Sequence, residues 1–284
     1  TSIGGQKMSR YMKDRIEKVG LFLTLSLVAL VVFLPFCWLI LTSIKPESQV
    51  VIYPPRLWPQ TMTLEAYTSI WHRIPFARFF LNTIVFAVGV TAISLTLDSF
   101  AAYAFARLEF WGRDVLFTLV LITLMLPFQV SMVPLFGLLN SFGWLDSYAG
   151  LIIPRASNAF GIFFLRQFFR GIPTELEDAA FVDGASTWRI YWQIILPLSK
   201  SAIATLTIFH FMYNWNDFLW PLIMTTTTEM RTLPTGLALF MGQHVVEYAV
   251  LMAGVVLSLL PITLAFLAAQ NHFVQGIALT GIKG

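Results

Sequence analysis

Six stretches of this chain run for roughly 20 residues or more with at most one charged side chain, and that spacing constrains the fold more than any other feature. A bilayer core about 30 Å thick takes roughly 20 apolar residues in a helix. Val19 to Ile44, Val115 to Leu145 and Tyr248 to Ile282 carry no charge at all. Phe79 to Ala106, Ser147 to Leu165 and Ser201 to Thr228 carry one each: Asp98, Arg155 and Asp217. Only 12% of the 284 residues are charged and 57% are hydrophobic, against about 25% charged in a soluble domain. That balance excludes a disordered chain, a nucleic-acid-binding arm and an ordinary soluble enzyme. The formal charge of +3 is too small to imply a polyanionic partner, so no nucleic acid is expected. Cys37 stands alone, which excludes an internal disulfide, and the four histidines are scattered without a metal-ligand cluster. The expectation is an all-α, polytopic membrane protein with six transmembrane helices, its surface in contact with lipid.

Lys and Arg in the loops give the orientation. With the N-terminus inside, twelve lie inside against five outside, the latter being Lys45, Arg56, Arg73, Arg78 and Arg231. Both termini are therefore expected to be cytoplasmic. The first apolar run is far longer than a 7–15-residue signal core and reads as a retained helix. Residues 1–18 read as a cytoplasmic N-terminal segment, of which 1–7 are expected to be a cloning remnant. Residues 19–273 read as one transmembrane domain containing a cytoplasmic loop over 167–200. Residues 274–284 read as a cytoplasmic tail. The stretch Lys45 to Arg78 is an outside loop broken by prolines, and Thr225 to Glu247 is the other sizeable one.

The loop 167–200 is the polar outlier and holds the tightest acid cluster: Glu175, Glu177, Asp178 and Asp183. Thr174 followed by Glu177 has the spacing of a capping box, which predicts a helix start. Leu176, Ala179, Ala180 and Asp183 fall on one narrow, mostly small face. Gly184 suits the left-handed turn that ends a helix. A second helix is expected from Ser186 to Leu196, stopping at Pro197. A short surface helix bearing small residues can seat in a groove of another protein.

These residues resemble a known motif. Asp178-Ala179-Ala180, then Gly184, then Ile194, then Leu196-Pro197 match at every spacing the EAA loop of ABC importer permeases, with Asp178 standing where the family carries Glu. Ala101 to Leu108, Trp215 to Leu222 and the tail ending Gly281-Ile282-Lys283-Gly284 extend the resemblance to nearly the whole chain. The chain resembles the smaller permease of carbohydrate importers of the maltose, arabinose-oligomer and glycerol-3-phosphate type. The resemblance implies an ATPase-coupling helix built on Glu177, Asp178, Ala179, Ala180, Asp183, Gly184, Leu196 and Pro197. It also implies a bacterial inner-membrane location, a second permease, two ATPase subunits and an extracytoplasmic solute-binding protein. No phosphate-binding GxxxxGK[ST] stretch occurs in the chain. No cofactor is expected on it, and ATP and Mg belong to the partner ATPase.

Polar groups inside the apolar stretches are the pathway candidates, because an ionised group at mid-bilayer costs about 2.5–3.5 kcal/mol and faces protein or water. They are Arg155 with Asn158, the cluster Asn214, Trp215, Asn216 and Asp217, and Gln129 beside Pro127. A structural pairing between helices is the competing reading of the same groups. Trp215, Phe211, Tyr213 and Phe218 are candidates for stacking on sugar rings, against plain packing or an interfacial belt. Asp98 is expected to serve structure, with Tyr103 and Arg107 in its next turns. Two other functions remain open at this point. A proton-coupled secondary transporter would use the intramembrane charges but gives no role to the loop. A membrane enzyme would need a convergent site, for which His210 and Asp217, seven residues apart, are the weak candidate.

Overall fold

The computed structural model describes residues 3–242 and 246–281. They form helices and turns, with no strand beyond one isolated bridge between Met241 and Val246. Among the described residues three helices are long and apolar enough to cross a membrane alone: Arg15–Ser43, Phe76–Arg107 and Tyr248–Ala268. Three bent pairs do so together. Arg113–Thr123 with Phe128–Ser141 bends by 96°, Tyr148–Arg155 with Ala159–Arg170 by 43°, and Thr187–Leu198 with Lys200–Trp215 by 77°. Counting each pair once gives the six spans expected.

The chain divides into two compact units, Thr1–Ile70 with Phe240–Val256, and Trp71–Leu239 with Leu257–Gly284. In the first, the helix Ile3–Ser43 leads into a loop held by polar side chains. Lys45, only 3% exposed, donates to the Arg56 carbonyl at 2.6 Å. The Glu47 carboxylate accepts from the backbone N–H groups of Tyr248 and Ala249, each at 2.8 Å. A remote acid thus satisfies two orphan donors at the start of the last helix, where negative charge is favoured.

The second unit is organised around the span Phe76–Arg107, which packs along Ala159–Arg170 and Lys200–Trp215. Small residues let these helices approach. A Cβ on Gly161 would lie 2.2 Å from the Asp98 carboxylate, so only glycine fits there. Two cores follow. One gathers Ala102, Tyr103, Leu165, Phe169, Ile190, Tyr191, Ile195 and Leu206. The other gathers Phe86, Val90, Met132, Leu139, Leu151, Trp220 and Met224.

The helix breaks have local causes. Pro127 cannot donate to the preceding turn, and the next helix restarts at Phe128. Asn158 is extended and its side chain accepts from the Phe160 N–H at 2.8 Å, capping Ala159–Arg170. The helix Lys200–Trp215 covers the first part of the charge-poor stretch Ser201 to Thr228, and a short helix, Leu219–Met224, follows.

Three local expectations are corrected. Thr174 makes no side-chain cap, because its own backbone is helical rather than extended and the Glu177 N–H bonds its carbonyl at 2.9 Å; the Glu177 carboxylate goes to the Arg107 guanidinium, a strong charge-assisted partner. Pro197 does not stop the second loop helix. The helix runs from Thr187 through a π-helical turn at Tyr191–Ile195 to Leu198, one residue past the proline, and the 77° bend comes at Ser199. Asp98 does not engage Tyr103 or Arg107, which both reach Glu177 instead.

Candidate functional site

The loop helix Glu175–Val182 ends in a Schellman motif. The Ala185 N–H bonds the Ala180 carbonyl at 2.9 Å, the Gly184 N–H bonds the Phe181 carbonyl at 3.0 Å, and Gly184 takes φ 78°. Ala180 and Ala185 both pack against the first core of this unit, so Ala180 turns inward rather than lying on the exposed face with Leu176 and Ala179. Glu177 is buried as well. Its carboxylate lies 2.7 Å from Arg107 Nε and accepts from the Tyr103 hydroxyl at 3.3 Å. Arg107 also donates to the carbonyls of Phe169 and Ile172, which fastens the loop to the ends of two spans. Leu196 is half-buried on the same core, and Pro197 is exposed. Asp178, Ala179 and Asp183 are exposed, as are Leu176, Phe181 and Val182, the last at 89%. Phe181 and Val182 were missed in sequence because they lie off the apolar stripe, although apolar residues off the stripe of a helix are themselves a signal.

The intramembrane charges gather in one place. Arg155 lies 3.1 Å from the Asp217 carboxylate and 3.4 Å from the Asn214 side-chain oxygen, and both charged side chains are nearly buried. Its guanidinium sits 4.7 Å from the Phe128 ring and 5.1 Å from that of Tyr213. Phe128 opens the helix after the first break, Arg155 precedes the second, and Asp217 lies beyond the end of the Lys200–Trp215 helix. Two span interruptions and the end of the Lys200–Trp215 helix therefore converge on one guanidinium. Next to them, fully buried Asp98 accepts from the Ser157 hydroxyl at 2.7 Å and the Asn158 N–H at 3.0 Å. Its other oxygen lies 3.5 Å from His210 Nε2. His210 thus faces Asp98, and Asp217 is taken by Arg155, so the His210–Asp217 pairing is not formed.

The remaining candidates are placed apart. Gln129 is exposed beside the first break. Asn216 is exposed and bonds back to the Met212 carbonyl at 2.8 Å. Trp215 is 2% exposed, donates to the Ser258 carbonyl at 3.1 Å and packs on Phe80 and Phe211, so its faces are taken by protein. Tyr213 is exposed over Arg155. A cavity of about 560 Å³ between Val88, Leu95, Ile208, Phe211 and Ala265 offers only the hydroxyls of Thr91 and Thr207, and both are turned onto their own helix backbones. It suits apolar contact and not a sugar. Among the described residues no group of three His, Cys, Asp or Glu side chains comes together to hold a metal.

Comparison with known proteins agrees with this geometry. Residues 94–279 match the family described as binding-protein-dependent transport system inner membrane component. The chain is 34% identical over 272 residues to the arabinooligosaccharides transport system permease protein of Bacillus subtilis, covering 95% of this chain and 97% of that one. It is 32% identical to the lactose transport system permease protein of Rhizobium radiobacter, covering 95% and 98%. It is 34% identical to the sn-glycerol-3-phosphate transport system permease protein of Escherichia coli, covering 87% and 91%. A crystal structure of a bacterial ABC transporter that imports the acidic polysaccharide alginate superposes with a TM-score of 0.79 at 26% identity, covering 92% of this chain and 98% of that one. Permeases of this family are not enzymes. The chain belongs to the binding-protein-dependent transport system inner membrane component family and is a permease subunit of an ABC importer.

Proposed function

We propose that this permease forms half of the translocation pathway for a carbohydrate or a related polyol or glycerol-phosphate solute. The solutes named for its relatives, arabinooligosaccharides, lactose and sn-glycerol-3-phosphate, support that class. The observation that carries the pathway reading is the convergence of two span interruptions and the end of the Lys200–Trp215 helix on Arg155. Broken backbone at membrane depth is tolerated where it is buried in protein or lines a cavity. Arg155, Asn158, Asn214, Asp217 and Gln129 are the groups placed to border such a path, with Tyr213 as the exposed aromatic. The other half comes from a second permease, since six spans do not enclose a sugar-sized conduit. An extracytoplasmic binding protein delivers the solute, and two ATPase subunits carry ATP and Mg.

The loop over 167–200 is the ATPase-docking element of this reading. Leu176, Asp178, Ala179, Val182 and Asp183 offer the contact face. Glu177, Ala180, Gly184 and Leu196 seat that face on the spans. Residues 19–273 act as one permease domain, with 1–18, 167–200 and 274–284 on the cytoplasmic side. Single cysteines at Ser186 and Thr228, both exposed, test the topology: they should label from opposite sides of the membrane, and labelling of both from one side would refute it. Uptake in proteoliposomes should require ATP and the binding protein; uptake that persists without either would refute the importer role proposed for the site.

A further inference from the structure

Four arginines line one cavity of about 490 Å³: Arg107, Arg113, Arg166 and Arg170, with Asp114, Phe105 and Ala106 completing the wall. Two of the four charges are answered. Arg107 is paired with Glu177 at 2.7 Å, and Arg113 with Asp114 at 3.2 Å. The other two have no carboxylate of their own, because the Asp114 that also attracts Arg166 is the partner of Arg113. Arg166, 8% exposed, spends its Nε on the Phe105 carbonyl at 3.1 Å and lies 3.8 Å over the Phe117 ring. Neither contact neutralises it. Arg170 is exposed, and among the described residues neither Arg166 nor Arg170 has a carboxylate within ion-pair reach. Two uncompensated guanidiniums bordering one half-buried cavity repel each other unless an anion lies between them.

The position of the cavity names the anion. Arg107 closes the second span, Arg113 opens the third and Arg170 closes the fourth, so all three mark one edge of the apolar region. In the turn between them Trp111 is 98% exposed and Phe110 is 40% exposed. Aromatic rings in such a place sit at headgroup depth. Guanidinium forks match phosphate oxygens in charge and shape, and basic pockets between spans on the cytoplasmic side hold anionic headgroups. We propose that this cavity binds the phosphate of an anionic phospholipid. Because Arg107 also holds Glu177 of the loop helix, the bound headgroup braces the seat of the coupling loop from the membrane side.

The test reads lipid retention and needs no transport. The full chain with its co-purifying subunits is placed in nanodiscs of phosphatidylcholine with one-quarter or so phosphatidylglycerol, then released for native mass spectrometry. Wild type and Arg189→Gln, whose guanidinium is on the loop against Gln193, should both retain phosphatidylglycerol. Arg170→Gln should weaken retention about fivefold, and Arg166→Gln combined with it about twenty-five-fold. Arg170 is exposed, so its variant alone remains readable if the buried change at Arg166 disturbs folding. Retention unchanged in Arg170→Gln would overturn the site. Saturation by millimolar inorganic phosphate with no phosphatidylglycerol retained would overturn the lipid source.

Discussion

Glu177→Gln removes one charge from a pair whose side chains are 10% and 9% exposed and 2.7 Å apart. Breaking a buried pair by deleting one partner costs about 3–5 kcal/mol, chiefly because the other charge is left unanswered. Glutamine still accepts from the Tyr103 hydroxyl and the guanidinium, which places the loss near the lower bound of about 3 kcal/mol. At about 1.36 kcal/mol per factor of ten, that is over a hundredfold in the ratio of seated to unseated loop. Asp178→Asn, one residue along but exposed, should move stability by no more than about 0.5 kcal/mol. The acid adjacent to the motif is therefore expected to matter more for seating than the acid within it. The assay is a double-mutant cycle with Arg107→Gln, read as thermal stability and as binding-protein-stimulated ATPase activity of the assembled importer. A coupling energy of about 2–3 kcal/mol is expected. Additive single-variant effects, or full ATPase stimulation in Glu177→Gln, would refute the seating argument.

Gly184→Val meets no atom within 4 Å at its Cβ, so its cost is the left-handed backbone alone, about 1–2 kcal/mol; a melting temperature equal to wild type would show that φ 78° is not required. Gly161→Ala brings a methyl 2.2 Å from the Asp98 carboxylate and 3.0 Å from His210 Nε2, and should lower stability by about 3 kcal/mol or more through overpacking, measured by thermal unfolding in detergent. Asp217→Asn leaves Arg155 uncompensated and should destabilise by about 3 kcal/mol or more, while Arg155→Met with Asp217→Leu should recover stability yet still lose uptake. Asp146 is partly desolvated, which opposes ionisation, but hydrogen bonds from the side chains and N–H groups of Thr226 and Thr227 outweigh this and hold its carboxyl below the ordinary 3.8. A depressed carboxyl contributes stability above its ordinary pKa and loses it as pH falls through the folded value, so Asp146→Asn should flatten the acid limb of the stability curve relative to wild type.

The spans were legible because their signal is local. A run such as Val19 to Ile44 without a charge needs no partner to declare itself, and the structure carries it in the helix Arg15–Ser43. The glycine stop was legible for the same reason: Gly184 is required by its own φ angle. Pairings across helices were not legible. Glu177 had two partners on offer, the Thr174 N–H three residues away and Arg107 seventy residues away. Sequence reasoning weighs only the near one, and the charge-assisted bond to the distant guanidinium wins. Asp98 misled in the same way, since Tyr103 and Arg107 are near in sequence while Ser157, Asn158 and His210 are near in space.

The inward turn of Ala180 gives the small residues of the loop motif two separate causes. Ala179 is exposed, and small size there leaves the proposed docking face low beside the larger Leu176 and Val182. Ala180 and Ala185 are joined through the backbone bond at 2.9 Å that closes the helix end, and both press on the core formed by Tyr103, Phe169 and Tyr191. Bulk at Ala180 would therefore lift the helix off its own spans before it could exclude a partner. Ala180→Trp should lower the stability of the permease itself, whereas Ala179→Trp should leave stability unchanged and reduce only ATPase co-purification. Equal melting temperatures for the two variants would place both alanines on the same face and remove the distinction. The contrast separates a residue that builds the knob from one that presents it, which is the division Glu177 and Asp178 make among the acids of the same helix.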